Sequence, residues 1–372
     1  MKRRAILLYW LTACTLAAAT VPEMDSARGD GVFASQGCVD CHRLRGRGGT
    51  TGPDLSQSVG RARSPEELTA TMWNHAPVMW AAIRGRGGAP QDLNPQAAAD
   101  LFAAFYSTRY FETPGDAARG KRLFHDKSCD QCHGLTNSPN PKAAPVSQWR
   151  ELTDPVALVG AMWLHSPQMR SELAAQKKTW PELTGQDLAD LQVYLRHSAP
   201  GGQSEAGAFQ ISAPAGGEQL FAAKGCAECH GDRGRKISRS TLTGAAAAMW
   251  NHARILRYQA PQVNPQEMRG LVSYTWARPY FEPTGSIQHG RQVFTAKRCS
   301  ACHEGGGAGR DLHARAGDFN GISMISSLWR HGPSMLNRMT EQKIPWPIFR
   351  PGEMSDLLAF LNTPSRTAGG AR

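Results

Sequence analysis

The chain has 372 residues, which is enough for two or more ordinary domains. Hydrophobic residues make up 41% of it and charged residues 20%, a balance that excludes wholesale disorder. The formal charge of +11 favours a nucleic acid or an anionic membrane as a partner. No stretch interleaves aromatic residues with basic runs, however, as single-strand binders do. The positive charge alone is therefore weak evidence for nucleic-acid binding, and we expect none.

The N-terminus resembles an export signal. A basic head (residues 2–4) precedes an apolar run that ends at Ala19, and this run is shorter than the ~20 residues of a membrane-spanning helix. We expect a secretory signal peptide over residues 1–19. The alternative is a bacterial lipoprotein signal, because Leu-Thr-Ala-Cys (11–14) resembles its end, with Cys14 as the lipidated residue. Both signals predict a periplasmic or otherwise exported bacterial protein, and the second also predicts membrane association through Cys14.

The motif C-x-x-C-H occurs four times and contains every cysteine except Cys14. The copies are CVDCH (38–42), CDQCH (129–133), CAECH (226–230) and CSACH (299–303). This spacing is typical of c-type haem attachment, because two thiols three residues apart can add to the two vinyl groups of one haem. The adjacent His then lies under the iron as its proximal ligand.

Zinc sites, disulfides and thioredoxin-like redox sites also use paired cysteines. Zinc-binding pairs usually lie ~12–20 residues apart, whereas successive motifs here begin 91, 97 and 73 residues apart. Disulfides and redox sites leave the repeated His unexplained. We therefore expect four covalent haems, whose propionates offset much of the Lys and Arg excess. The expected attachment residues are Cys38, Cys41, Cys129, Cys132, Cys226, Cys229, Cys299 and Cys302, and the expected proximal ligands are His42, His133, His230 and His303.

A common frame surrounds each motif. A Gly lies nine residues before the first Cys, and a Phe lies five residues before it, which places both on one helical face. A later apolar helix carries an aromatic residue in each copy. We expect the Gly to let this later helix approach closely. The glycines are Gly29, Gly120, Gly217 and Gly290, and the expected aromatic partners are Phe105, Tyr194, Tyr274 and Phe360.

These features together make each module similar to a class I cytochrome c domain. The resemblance covers nearly all of residues 28–363 and implies an all-α fold of four tandem domains that transfer electrons. The predicted modules are module 1 (28–112), module 2 (113–200), module 3 (212–282) and module 4 (283–363). In module 1, Gly-Pro-Asp-Leu (52–55) also resembles the family's G-P-x-L, in which the Pro carbonyl holds the proximal His. The other three modules depart from this pattern.

Modules 1 and 3 share features that modules 2 and 4 lack, and the reverse also holds. Modules 1 and 3 contain Tyr-Phe-Glu and Asn-Pro-Gln, whereas modules 2 and 4 contain Gln-Lys-x-x-Trp-Pro (176–181 and 342–347). This alternation indicates a duplicated dihaem unit with halves 28–200 and 212–363. A linker rich in Gly, Ser and Ala (201–211) joins the halves.

Candidates for the sixth iron ligand recur beside a Trp-x-His sequence. Three modules continue from this His to Pro and then Met, with Met four residues after His. Proline is expected to end the helix and place Met on a turn, and class I cytochromes similarly present Met from a loop. The predicted ligands are therefore Met79, Met169 and Met335, with His75, His165 and His331 as alternatives. The Trp residues of the motif (Trp73, Trp163, Trp250, Trp329) are expected to pack against haem.

Module 3 departs from this pattern. It keeps Trp250 and His252 but has Arg254 in place of Pro and Leu256 in place of Met. Ligation by His252 would give a bis-His iron of lower potential. The alternatives are ligation by the distant Met268 or an iron with an open position.

The sequence thus predicts an exported tetrahaem cytochrome that relays electrons between redox partner proteins and turns over no substrate of its own. A membrane respiratory complex is one candidate partner, which a lipidated Cys14 would support. The alternative is a haem oxidoreductase in which haem 3 is an open catalytic or small-ligand site. In that case Arg254 or Arg257 would hold an anionic substrate.

Overall fold

The computed structural model describes residues 21–56, 64–108, 115–150, 152, 154–198, 211–213, 216–231, 236–238, 240–256, 260–281, 284–305, 309–315 and 319–363. The predicted signal (1–19) and all but the last residue of the predicted linker (201–211) lie outside these ranges. Across the ranges that are described, every helix is too short or too polar to cross a membrane.

Helices dominate the described residues, so the expected all-α fold is confirmed. The helices are α1 (Ser26–Ser35), α2 (Pro65–Gly85), α3 (Pro95–Thr108), α4 (Ala117–Asp126), α5 (Pro155–Leu164), α6 (Ser166–Ala175), α7 (Gly185–Ser198), α8 (Gly217–Ala223), α9 (Ala227–His230), α10 (Leu242–Leu256), α11 (Pro265–Phe281), α12 (Ile287–Ala296), α13 (Ser300–His303), α14 (Gly321–Glu341) and α15 (Glu353–Leu361). Strand β1 (Met24–Asp25) pairs antiparallel with β4 (Ser212–Ala213), and β2 (Arg43–Leu44) pairs antiparallel with β3 (Arg47–Gly48).

The first and last helices of each module pack together, as predicted. A Cβ on Gly29, Gly120 or Gly290 would lie 2.0–2.1 Å from a carbonyl oxygen of the last helix, so only Gly permits this approach. Beside each contact two aromatic rings meet, with centroids 5.4–6.2 Å apart. The ring pairs are Phe33–Phe105, Phe124–Tyr194, Phe221–Tyr274 and Phe294–Phe360.

An aspartate at the start of the last helix fixes the same contact in three modules. Asp100 accepts hydrogen bonds from the Asp25 amide (2.7 Å) and from Arg28 (2.9 Å). Asp190 and Asp356 accept matching bonds from the residues around their module's glycine. Burial raises the pKa of Asp190, but hydrogen bonds, led by the one from Arg119, outweigh burial and hold that pKa below its usual value.

Replacing Gly29 with Ala should destabilise the protein by about 1–3 kcal/mol, because the added methyl overlaps the Asp100 carbonyl. Gly31 in the same helix is the matched control, since a Cβ there meets nothing within 4 Å. Gly31→Ala should be neutral or stabilise the helix by up to about 1 kcal/mol. Denaturant unfolding of the two variants checks the difference, and equal stabilities would contradict the close helix approach.

The modules do not pack in chain order. Helix α2 of module 1 packs against α14 of module 4, and α5 and α7 of module 2 pack against α10 of module 3. Modules 1 and 3 meet through the pairing of β1 with β4 and through Trp276, which contacts Phe102 and Tyr106. Within the described part of the chain no comparably extensive packing joins modules 1 and 2, or modules 3 and 4. The spatial order is therefore 2-3-1-4, and the two predicted halves interlock.

Two equivalent tryptophan stacks hold the outer modules to the inner ones. Trp73 of module 1 stacks on Trp346 of module 4, with ring centroids 5.2 Å apart. Trp250 of module 3 stacks in the same way on Trp180 of module 2 at 4.3 Å. The Trp73 and Trp250 indoles donate to the carbonyls of Pro347 and Pro181, respectively. Both stacks therefore join a Trp-x-His helix to the Trp-Pro segment of another module.

The asparagines that follow Trp73 and Trp250 make equivalent hydrogen bonds at the same two interfaces. Asn74 exchanges two hydrogen bonds with the backbone of Phe349, at 2.8–2.9 Å. Asn251 exchanges two with the backbone of Leu183, at 2.8–3.0 Å. The other Trp-x-His tryptophans also touch a second module, since Trp163 donates to Pro261 and Trp329 lies against Trp80. All four tryptophans therefore have a role at module interfaces that the sequence analysis did not anticipate.

The expectation that Pro ends the Trp-x-His helix is wrong for modules 1 and 4. Helices α2 and α14 continue without a break past Pro77 and Pro333. Because Pro77 has no N–H, the Trp73 carbonyl one turn earlier loses its helical donor. The Trp346 indole of module 4 donates to this carbonyl instead, at 3.0 Å. In module 2 the helix does break, with His165 between α5 and α6.

Module 3 shows what the loss of this proline does. Arg254 replaces Pro inside α10, so the Trp250 carbonyl keeps its helical donor. The equivalent indole, that of Trp180, is left buried without a hydrogen-bond partner. In module 1 the proline thus leaves the Trp73 carbonyl free to accept a hydrogen bond from Trp346 of module 4. Module 3 forms the equivalent tryptophan stack without such a hydrogen bond.

Trp346→Phe should therefore cost about 1–2 kcal/mol more than Trp180→Phe, because only Trp346 loses a hydrogen bond and leaves a carbonyl unpaired. Both changes remove a similar ring volume, so each serves as the control for the other. Urea unfolding of the two variants measures the difference. Adding Pro77→Ala restores the helical donor to the Trp73 carbonyl and should therefore reduce this difference in the free energy of unfolding. If the difference stays the same in the Pro77→Ala protein, the unpaired carbonyl is not its cause.

Candidate haem sites

The four C-x-x-C-H motifs share one local geometry. Each follows directly on the Gly-Phe helix of its module, and the His amide donates to the carbonyl of the first Cys at 2.8–3.0 Å. This single helical turn places the His beside the two thiols. All eight cysteines of the motifs are described, and none is in a disulfide. No group of three or more His, Cys, Asp or Glu side chains converges within the described residues as a zinc ribbon requires.

The first thiol of each pair faces the apolar interior. Cys38, Cys129 and Cys226 pack against the large shared core, and Cys299 packs against the core of module 4. Burial raises the pKa of the Cys38 and Cys299 thiols to about 11 and that of Cys129 to about 12. These thiols are therefore protonated at neutral pH and are surrounded by groups suited to an apolar porphyrin.

Three of the four proximal histidines are held in one tautomer. His42 Nδ1 lies 3.1 Å from the Pro53 carbonyl, as the Gly-Pro-Asp-Leu sequence predicts. His133 Nδ1 lies 3.0 Å from the Ala144 carbonyl, and His303 Nδ1 lies 3.0 Å from the Arg310 carbonyl. A carbonyl can only accept, so Nδ1 carries the proton and Nε2 keeps a lone pair for a metal.

The second and third of these carbonyls were not predicted from the sequence, although one signal was present. Ala144 lies eleven residues after His133, the same separation as between His42 and Pro53. In module 4 the supporting loop is shorter, and Gly309 lies where a Cβ would be 2.7 Å from the His303 ring. In module 3 most of the segment directly after the motif (232–235) lies outside the described residues.

Three of the four Trp-x-His histidines are oriented in the same manner. Nδ1 of His75, His165 and His252 lies 2.6–2.8 Å from the carbonyl one turn earlier, which again leaves Nε2 available. In module 2 the His165 ring lies 6.1 Å from the His133 ring, centroid to centroid. In module 3 the corresponding distance, between His252 and His230, is 5.8 Å. Burial lowers the pKa of His165, which favours its neutral form.

The Met candidates lie one turn beyond these histidines and are half-buried. The expectation that Met lies on a turn is wrong in all three modules, because Met79 and Met335 lie on continuous helices and Met169 lies within α6. Met79 and Met335 are on the same helical face as the preceding His. Met268, the distant candidate for haem 3, is fully buried beside Gly160 of module 2. The ligand roles of Met79, Met169 and Met335 remain predictions.

These residues fit a covalently bound haem on three grounds. Each site offers two free thiols in the required spacing, and the described proximal supports leave Nε2 free. The first thiol also faces apolar side chains. When bound, such a haem would supply an iron that accepts and returns one electron, and these cysteines, histidines and apolar side chains would hold it.

Comparison with known proteins agrees with this chemistry. The family model for cytochrome c matches residues 26–103 and 117–199, which cover most of modules 1 and 2. No curated protein and no solved structure matches the chain. Modules 3 and 4 lie outside the matched segments but repeat their motif geometry and their aromatic pair, and module 4 also repeats their glycine contact. The two matched segments therefore support a c-type cytochrome with repeated modules, and the cytochrome c family implies electron transfer by covalently bound haem iron.

Proposed function

We propose that this chain is an exported tetrahaem cytochrome c that relays electrons between redox partner proteins. The observation that carries the proposal is the fourfold recurrence of one attachment geometry. Each copy has the same Cys carbonyl to His amide bond and an equivalent aromatic pair, and in three copies the module's Gly lies against a backbone carbonyl of the last helix. Modules 3 and 4 share the Cys to His bond and the aromatic pair with the two family-matched modules, which favours a haem in each.

The spatial order of the modules suggests the order of electron transfer. Electron transfer is fastest between neighbouring cofactors, and the neighbours here are 2 with 3, 3 with 1, and 1 with 4. We propose that electrons follow this order and not the order of the chain. Modules 2 and 4 form the ends of the row, so we propose that redox partners dock there.

We propose export for two reasons. The N-terminus resembles an export signal, and c-type haem is attached outside the cytoplasm. The mature protein should begin at Thr20 if the secretory signal is cleaved after Ala19. It should begin at a lipidated Cys14 if the lipoprotein alternative holds, and the protein would then be anchored to the membrane. Mass spectrometry of the N-terminal peptide of the purified protein distinguishes the two.

The alternative, an oxidoreductase with an open haem 3, finds less support in the site. His252 faces the proximal His230 where an open position would be needed. Arg254, one candidate to hold an anionic substrate, pairs with Glu182 of module 2 at 2.7 Å. Arg257, the other candidate, lies outside the described residues. We therefore favour an electron carrier without substrate turnover.

A stepwise anaerobic titration with a reductant tests the relay function. The purified protein should take up four electrons per chain, all of them visible as haem reduction, without any added substrate. Uptake of fewer electrons, or a haem that becomes reducible only when a small molecule is supplied, would contradict the proposal. A carbon monoxide complex of the reduced wild-type protein would favour the oxidoreductase instead.

A further inference from the structure

We propose that the irons of modules 2 and 3 each have two histidine ligands, His133 with His165 and His230 with His252. This inference rests on the proposed function only in taking a haem to be attached at these two motifs. It replaces Met169 as the expected sixth ligand of module 2. It also decides among the three alternatives that the sequence left for module 3.

The distance between the paired rings carries the inference. An imidazole nitrogen binds a first-row metal at about 2 Å, and the ring centroid lies about 1 Å behind that nitrogen. Two imidazoles on opposite sides of one iron therefore have centroids about 6 Å apart. The rings of His133 and His165 are separated by 6.1 Å, and those of His230 and His252 by 5.8 Å.

The protonation of the rings agrees with this separation. The second ring of each pair donates from Nδ1 to its own helix, His165 to Ala161 and His252 to Ala248, at 2.6–2.7 Å. Nε2 is therefore the unprotonated nitrogen, as a metal ligand requires. His75 of module 1 makes the same bond, so the separation of the paired rings is what distinguishes modules 2 and 3.

Met169 has a packing role that does not depend on binding iron. It packs against the shared apolar core, and so does Leu256, which occupies the equivalent position of module 3. The next residue, Arg170, donates to the Ala253 carbonyl of module 3. The segment around Met169 therefore contacts the neighbouring module, and a leucine fills the equivalent position.

Bis-His ligation should give haems 2 and 3 lower potentials than a Met-ligated haem, because a thioether ligand raises the potential. These haems belong to modules that are neighbours in space, through the contact of α5 with α10. The structure thus points to a low-potential pair at one end of the row 2-3-1-4.

Four single variants of the full-length holoprotein test the inference. Met169→Leu should leave the near-infrared magnetic circular dichroism of the oxidised protein unchanged. His165→Met should convert one bis-His signal into a His/Met signal and raise the potential of one haem. His252→Ala should let one carbon monoxide molecule bind per reduced chain, whereas the wild type binds none. His252→Met should block that binding again.

The result that would overturn the inference is also specific. A His/Met signal that disappears in Met169→Leu would assign Met169 as the ligand of module 2. Carbon monoxide binding by the wild type, unchanged in His252→Ala, would show an open iron in module 3. Should the histidine variants fail to fold, the wild-type spectrum still decides, because fewer than two bis-His haems contradicts the proposal. Haem content measured beside each spectrum separates these outcomes from a failure of haem attachment.

Discussion

Trp250→Ala should lower the free energy of unfolding by about 3–5 kcal/mol, as expected for truncation of a fully buried indole. Trp250 is 0% exposed, stacks on Trp180 of module 2, and donates to the Pro181 carbonyl at 2.7 Å. The substitution leaves a cavity and an unpaired carbonyl at the interface between modules 2 and 3. Denaturant unfolding, followed by circular dichroism, measures the loss.

Ile255→Ala in the same helix is the matched control for this prediction. Ile255 is 58% exposed, so its truncation should change stability by less than about 0.5 kcal/mol. If Trp250→Ala costs no more than Ile255→Ala, the interface between modules 2 and 3 does not contribute to stability as described here.

Cutting the chain within residues 201–210 should leave the two halves bound to each other. Among the described residues, every extensive contact between modules crosses from one predicted half to the other, including both tryptophan stacks and the β1–β4 pairing. A protease site placed in this segment of the holoprotein allows the cut. The cut protein should elute from size-exclusion chromatography as one species of the original size.

Two independent dihaem halves would instead elute separately at about half the mass, and this outcome would contradict the interlocked arrangement. The same cut made in a Trp73→Ala/Trp250→Ala protein provides the comparison. Loss of both stacks should weaken the association, so these halves should separate at lower denaturant concentration than the wild-type halves.

Local features of the fold could be predicted from the sequence, because they depend on residues close together in the chain. The Gly29 and Phe33 spacing defines one face of a helix, and the structure places Phe105 against that face. The Gly-Pro-Asp-Leu segment correctly located the carbonyl that supports His42. The all-α class followed from the same recurring helices.

The order of the modules could not be predicted in this way, because it depends on which surfaces meet after folding. A signal was nevertheless present in the alternation of motifs. Trp-Asn-His occurs only in modules 1 and 3, and Gln-Lys-x-x-Trp-Pro only in modules 2 and 4. The structure shows that these two sequences are complementary, since Asn74 and Trp73 contact the segment that follows Trp346.

The effect of proline was misjudged for a related reason. Pro77 removes one helical hydrogen bond, and from the sequence alone that loss predicts the end of the helix. The helix continues because the indole of Trp346, 269 positions later in the chain, supplies the missing donor. Only the assembled structure can supply such a partner.

The number of haems per chain tests the central claim most directly. Haem content can be measured from the reduced pyridine complex and divided by protein concentration from amino-acid analysis. We predict four haems per chain, and three in a variant that carries Cys226→Ser and Cys229→Ser. Two haems per chain, as would follow if only the family-matched segments 26–103 and 117–199 carried them, would contradict the account.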